Sequence, residues 1–398
     1  MLETVNYKKL KKKIISQNIN FLAFPVTPWA AHGVDAFIYM MKQKDISLNG
    51  YICVIKHGQA GYLVDDSHFS FENENIKIIL LDGNIEETFY EKIKRKIRLW
   101  RFLAKRRTDG QYIYILNQGC PNYEWHSFIK ECKPENQVKS IIIDEGIGMY
   151  MRTKKGWLLE NLSNTKGIKN KIAAFFMVEI KQPIMKKIIK KKNEMVDFCL
   201  FDKTKNEFVK NTKAVSCYKQ VIYKNGYLIA TEQKKLYEHA VVINTQPFYE
   251  YGQVKENEDV RWLNVICKIC EEYKVPVVLK PHPREKNLER YKNISNCMID
   301  YHKGITQETI ISQIKDKPIC IIGFSSTTLI TERLFEEIAV ISLIDCVDER
   351  NFDKVICNDF KGFKKTFSNY VCFPQNENDL IISLKREIKR YRGRRIDD

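Results

Sequence analysis

The chain has no stretch of the roughly 18 apolar residues that a membrane-spanning helix needs. Its first residues, Met1 to Lys9, have no apolar run of the kind a secretory leader carries, so no signal peptide is expected. There is no internal repeat and no low-complexity tract. No Gly-x-Gly-x-x-Gly fingerprint opens either half, which argues against a dinucleotide enzyme. Cys267-Lys268-Ile269-Cys270 has Cys-x-x-Cys spacing but no second Cys or His pair at ligand spacing, so core packing is expected of it rather than metal or redox work. No DNA or RNA motif is present, and aromatic residues do not interleave the basic runs as a base-stacking platform requires.

What remains is a globular composition. Of 398 residues, 44% are hydrophobic and 12% aromatic, enough for two domains with real cores. The 12 cysteines are scattered, and several, such as Cys53, Cys199 and Cys320, sit in apolar runs. They read as reduced, buried thiols of a cytoplasmic protein. A net charge of +17 favours polyanionic partners. The basic residues cluster in Lys8 to Lys13, Lys92 to Arg107, Lys181 to Lys192 and Lys385 to Arg395. Ile93, Ile97, Trp100 and Leu103 form an apolar stripe inside the second cluster. That pattern fits a helix lying on anionic lipid, and equally a core-packed helix with a solvated basic face.

Apolar, β-branched runs recur at spacings that leave room for crossover helices, so the expected fold class is α/β with parallel sheets. In the first half they cover residues 20–26, 51–55, 76–81, 112–116 and 140–143, with a helix opening at Thr27-Pro28. Residues 150–235 are Lys-rich and without strand rhythm, and read as a helical elaboration and connection. The rhythm resumes at residues 240–244 and continues at 275–279, 297–300, 318–322 and 339–343. Two Rossmann-like domains are therefore expected, residues 1–235 and 236–398.

Three motifs each follow such a run. Asp144-Glu145-Gly146 follows Ile141 to Ile143. His282-Pro283 lies in Lys280-Pro281-His282-Pro283-Arg284-Glu285. Ser325-Ser326-Thr327-Thr328 follows Cys320 to Phe324. Strand ends of open α/β sheets are where ligands bind. Alone, Asp144-Glu145-Gly146 is an ordinary turn; at a strand end its carboxylate has the chemistry to take a proton from a hydroxyl. His282 is held between two prolines and flanked by Lys280 and Arg284, which favours an anion. The Ser/Thr run fits an N-cap, and also an anion site at a helix N-terminus; both can hold at once. Together they suit transfer of a group away from a phosphate leaving group.

In this order the motifs resemble those of bacterial sialyltransferases: glycosyltransferase family 52, the lipooligosaccharide and capsule enzymes, and the related polysialyltransferases. Thr245-Gln246-Pro247 resembles family 52 as well. The resemblance implies the GT-B fold, two Rossmann-like domains facing a cleft, and CMP-sialic acid as donor. It implies Asp144 as general base supported by Glu145, with inversion at the anomeric carbon. His282 would contact the CMP phosphate, and Ser325 and Ser326 would bind it too. Glu308 falls at the ribose-binding position, though a first-turn capping role fits it also. Gln246, Lys280, Pro283, Gly323 and Thr327 complete the implied donor side.

No Asp-x-Asp pair occurs, so no metal and no cofactor are expected; a monophosphate leaving group can be met by His282, hydroxyls and a helix N-terminus. The acceptor is expected at first-half strand ends, near Trp29, His32, Asn117 and Gln118. The expected partners are a CMP-sugar, a glycan acceptor and an anionic membrane surface, but no nucleic acid. The expected location is the inner face of the cytoplasmic membrane. Two other transfers share the layout: a CMP-Kdo transferase, and a CDP-glycerol or teichoic-acid-type polymerase using His57-Gly58. A non-catalytic polysaccharide- or membrane-binding protein is the alternative of another class.

Overall fold

The computed structural model describes residues 2–56, 61–71, 73–82, 110–119, 123–151, 167, 171–172, 175, 195–203, 208–226, 229–255, 257–302 and 305–397. The chain divides into two compact units. One comprises residues 1–145 and 165–225, the other residues 146–164 and 226–398.

The first unit is built on a seven-stranded, all-parallel sheet. Its strands are β1 (Glu3–Asn6), β2 (Phe21–Ala23), β3 (Gly50–Ile55), β4 (Ile76–Asp82), β5 (Tyr112–Gln118), β6 (Gln137–Ile143) and β7 (Met195–Phe198), in the order β1-β4-β3-β2-β5-β6-β7. Helices α1 (Tyr7–Ser16), α2 (Pro28–Lys42) and α3 (Tyr123–Cys132) follow β1, β2 and β5. Ile141, Ile142 and Ile143 are all buried, as expected of a central parallel strand covered on both faces. Helix α2 starts where Thr27 caps it, its hydroxyl accepting from Ala30 N–H, with Pro28 at the first position.

In the second unit the sheet has five parallel strands. They are β10 (Val241–Asn244), β11 (Val277–Lys280), β12 (Met298–Ile299), β13 (Cys320–Gly323) and β14 (Ala339–Ser342), ordered β12-β11-β10-β13-β14. The register aligns Lys280, Asn244, Gly323 and Ser342 as one row across four adjacent strands. Whatever follows these residues therefore emerges at the same sheet end. Phe248, Phe324, Phe352 and Phe360 pack together with ring centroids 5.4–6.1 Å apart, anchoring the segments that leave β10 and β13.

The two parallel α/β sheets are those expected. Residues 195–210 differ from the expected helical elaboration. Strand β7 extends the first sheet along Ser140–Ile143, and β8 (Phe201–Lys203) pairs antiparallel with β9 (Phe208–Lys210). Short strands among lysines leave too little apolar period to read. Strand β1, outside the expected strands, carries a similarly weak signal: only Val5 of its four residues is buried. The division falls at 225/226 rather than 235/236. Helix α5 (Thr212–Asn225) closes the first unit, and α6 (Thr231–Tyr237) belongs to the second, where the Tyr237 hydroxyl donates to Asp300. The expected apolar patch at Ile172 to Ile180 lies almost wholly outside the described residues, as do Lys92 to Arg107 and Lys181 to Lys192.

Candidate active site

In the first unit Asp144 directly follows β6 and has no exposed surface. Its Oδ1 accepts from the Trp29 indole at 3.1 Å and its Oδ2 from Leu200 N–H at 3.1 Å. Its own N–H donates to the Tyr218 hydroxyl on α5 at 3.2 Å. Trp29 and Leu200 thus hold the two carboxylate oxygens, and Tyr218 holds the backbone of the same residue. Glu145, by contrast, is exposed, and its carboxylate lies over Gly119, just past β5. Gly119 has φ +68°, and a Cβ there would run into that carboxylate.

The expected acceptor residues fare unevenly. Trp29 is buried and serves Asp144, so its indole offers no face for stacking on a sugar. His32 is buried too, its Nδ1 beside the Asn225 amide at 3.3 Å; burial and then His68 push its imidazole down to about 3. It packs the interior of the unit rather than meeting a ligand. Gln118 accepts from Val26 N–H at 3.3 Å, tying the ends of β5 and β2. Asn117 is buried, its Oδ1 without a partner among the described residues. A cavity of this unit, about 350 Å³, touches Asp35, Tyr39, Lys42 and Lys224, towards the far end of α2 from Trp29, and none of the motif residues lines it.

In the second unit His282 follows β11. Arg284 N–H donates to its Nδ1 at 3.2 Å, which assigns the neutral tautomer with the proton on Nε2. Burial, and then the charge of Arg284, push the imidazole down to about 4, so the ring is neutral at pH 7. Its Nε2–H is a donor for an anionic oxygen. Ser326 caps α9 (Thr327–Phe335), accepting from Thr328 N–H at 3.3 Å. The Thr327 hydroxyl accepts from Ile147 N–H at 3.2 Å. Gly146 sits against the same hydroxyl: its φ is +107°, and a Cβ would come within 2.6 Å of Thr327 Oγ1. That is why the first motif ends in glycine. Ser325 is half-buried, with no hydrogen-bond partner for its hydroxyl among the described residues. Pro283 is exposed, Gln246 half-buried, and Gly323 ends β13.

Two donor-side expectations change. Lys280 is not a free cation beside His282. Its ammonium contacts Asp300 at 2.7 Å and donates to the His302 carbonyl at 2.7 Å. Against the opposing pull of burial, Lys280 and Tyr237 hold the Asp300 carboxyl down to about 2. Glu308, on α8 (Gln307–Ser312), is buried and accepts from the Thr331 hydroxyl of α9 at 2.5 Å. Burial raises its carboxyl above the ordinary range. It braces two helices rather than presenting a carboxylate to a ribose.

Sequence reasoning also passed over residues. Tyr218 and Leu200 act on Asp144 from 74 and 56 positions away, beyond any local signal. Asn244 is 6% exposed, and neither amide atom finds a partner among the described residues. It stands in the strand-end row between Lys280 and Gly323. Glu285 ends the Lys280-to-Glu285 motif, and its local sequence gives no sign of a role.

The family model for alpha-2,8-polysialyltransferases matches residues 39–345, more than half of the chain. The chain belongs to that family. It is a glycosyltransferase of the sialyltransferase kind, as the three motifs led one to expect. A comparison with curated proteins finds no match. Among solved structures, the α/β-galactoside α-2,3-sialyltransferase of Photobacterium phosphoreum is 12% identical, with TM-score 0.43 over 93% of this chain and 98% of that one. A GT-B-domain sialyltransferase from Photobacterium damselae is 11% identical, with TM-score 0.38 over 89% and 99%. A putative UDP-N-acetylglucosamine 2-epimerase from Listeria monocytogenes is 12% identical, with TM-score 0.49 over 94% and 88%. The His57-Gly58 pair of the alternative reading lies outside the described residues.

Proposed function

We propose that this enzyme moves sialic acid from CMP-sialic acid to the terminal sialic acid of a surface glycan, without a metal and with inversion. The observation that supports the reading is the bond from Arg284 N–H to His282 Nδ1, which leaves Nε2–H as a donor; in this reading it meets a phosphate oxygen. The hydroxyl of Ser325 and the N-terminus of α9 add donors of the same kind. The α-2,8 linkage is taken from the description of the matched family.

In this reading the acceptor hydroxyl gives its proton to Asp144 and its oxygen attacks the anomeric carbon. The bond from that carbon to the phosphate oxygen breaks, and CMP leaves with its charge met by His282 and Ser325. A second reading gives the proton to Glu145, favoured by its exposure beside Gly119. Trp29 and Tyr218 serve as positioning residues in the first reading.

The test is incubation with CMP-sialic acid and an oligosialic acid primer in excess chelator, with products followed by mass spectrometry. Stepwise addition of sialic acid units is expected. Transfer that stops in chelator and returns with magnesium would overturn the metal-independent mechanism. Transfer to galactose ends alone would overturn the acceptor.

A further inference from the structure

Glu285 is 1% exposed and lies three residues past His282. Its Oε2 accepts from His282 N–H at 2.7 Å and from the Thr245 hydroxyl. Its Oε1 accepts from the Tyr291 hydroxyl at 2.5 Å. Glu285 N–H returns a bond to the His282 carbonyl at 2.9 Å, so the two residues close the turn from both sides. Thr245, one residue past β10, meets the same His282 N–H at 3.0 Å. Tyr291, in the short helix Leu288–Tyr291, is buried.

We propose that Glu285 is the positioning residue for His282: it locks the turn that sets the imidazole's tautomer and aim. A side chain with acceptor oxygens suits this place, and a carboxylate best of all. Three donors converge on it, and an ionised carboxyl is acceptor-only, with room on both oxygens. Once His282 N–H is pinned, the turn presents Arg284 N–H to Nδ1, and Nε2 keeps its proton. Without the carboxylate, the hydroxyls of Thr245 and Tyr291 and the N–H of His282 lose their common acceptor. The turn is then free to relax, and Nδ1 loses its fixed donor. A glutamine preserves one acceptor oxygen for Thr245 and His282 and lets the Tyr291 hydroxyl turn to accept. It should retain much of the geometry where alanine cannot.

The inference rests on the role given to His282 in catalysis, but its test does not depend on activity alone. The readouts are steady-state kinetics and the imidazole nitrogen shifts of ¹⁵N-histidine-labelled protein, for the native chain, E285A, E285Q and T245V. In E285A, kcat should fall by about a hundredfold, the scale of an ångström-sized misplacement. The donor KM should change far less, and the His282 nitrogen shifts should move from the Nε2–H pattern toward a mixture of tautomers. E285Q should recover most of both. If E285A does not fold, E285Q and T245V carry the same comparison, with smaller displacements expected. Native His282 shifts in every folded variant would overturn the proposal, whatever happens to the rate. Full activity of H282A would instead overturn the catalytic reading of His282, while the shifts would still decide what Glu285 does.

Discussion

The indole N–H of Trp29 donates to Oδ1 of Asp144 at 3.1 Å, across 115 positions of sequence. An aromatic at a helix start thereby holds Asp144, and its buried ring is no platform for a sugar. Trp29→Phe keeps the ring and deletes the donor. A hydrogen bond to a charged group contributes about 1.5–3 kcal/mol, or roughly tenfold to a hundredfold. The variant should lose turnover on that scale while the acceptor KM stays near native. A raised acceptor KM with unchanged kcat would restore the stacking role and remove the positioning one.

The adjacent carboxylates separate by the same logic. Asp144→Asn should lower kcat by about a hundredfold or more, the usual scale for loss of a general base, with CMP affinity nearly unchanged. Glu145→Gln should be the milder of the two, because Glu145 is exposed whereas Asp144 is buried and held by Trp29 and Leu200. Parallel kinetics and CMP titration of both variants check this. If Glu145→Gln is the more damaging, the proton goes to Glu145 and Asp144 only anchors the strand end.

How far the sequence reached depends on the range of the interaction. Strands such as Val241–Asn244 and Cys320–Gly323 announce themselves because every residue is buried. The strand ends that carry the motifs then follow from parallel topology. His282 was legible because two prolines and a basic neighbour are local. Lys280 misled for the opposite reason: its charge is cancelled by Asp300, 20 positions on and buried. Glu308 likewise looks free in sequence, and only the fold of α9 brings Thr331 to it. Strands β1 and β7 escaped because an edge strand among lysines has little apolar period to detect.

His282 makes a pH prediction with a definite sign. Its folded pKa lies near 4, below the 6.5 of a free imidazole, through burial first and Arg284 second. Between those values the unfolded chain binds a proton that the folded one does not. The contribution to stability is therefore complete above 6.5 and lost as the pH falls through about 4. An NMR titration of the free protein should show a His282 midpoint near 4, and CMP should raise it, since an anionic phosphate favours imidazolium. A midpoint near 6.5 without ligand would contradict the neutral ring, and a midpoint unmoved by CMP would separate His282 from the phosphate.

The last prediction concerns location. We propose reversible attachment to the inner face of the cytoplasmic membrane through the basic runs. Not all of them are equally available. Lys9 and Lys13 pair with Glu3, Lys11 with Glu131, Lys385 with Glu272, and Arg390 with Glu387. These partners blunt the first and last clusters. The stripe-bearing run Lys92 to Arg107 is left as the principal candidate on sequence grounds. Each basic residue near an anionic surface contributes about 1 kcal/mol, and the field shrinks from a reach of about 10 Å at 0.1 M salt to about 3 Å at 1 M. Flotation with phosphatidylserine vesicles should recover the protein at low salt and release it at high salt, while neutral vesicles recover little. Replacing Lys94, Arg95, Lys96 and Arg98 by glutamine should abolish recovery, whereas the same change at Lys9, Lys11 and Lys13 should barely alter it. Equal recovery on neutral and anionic vesicles would reject the electrostatic attachment. Unchanged recovery in the Lys94 to Arg98 variant would reject that run as its source.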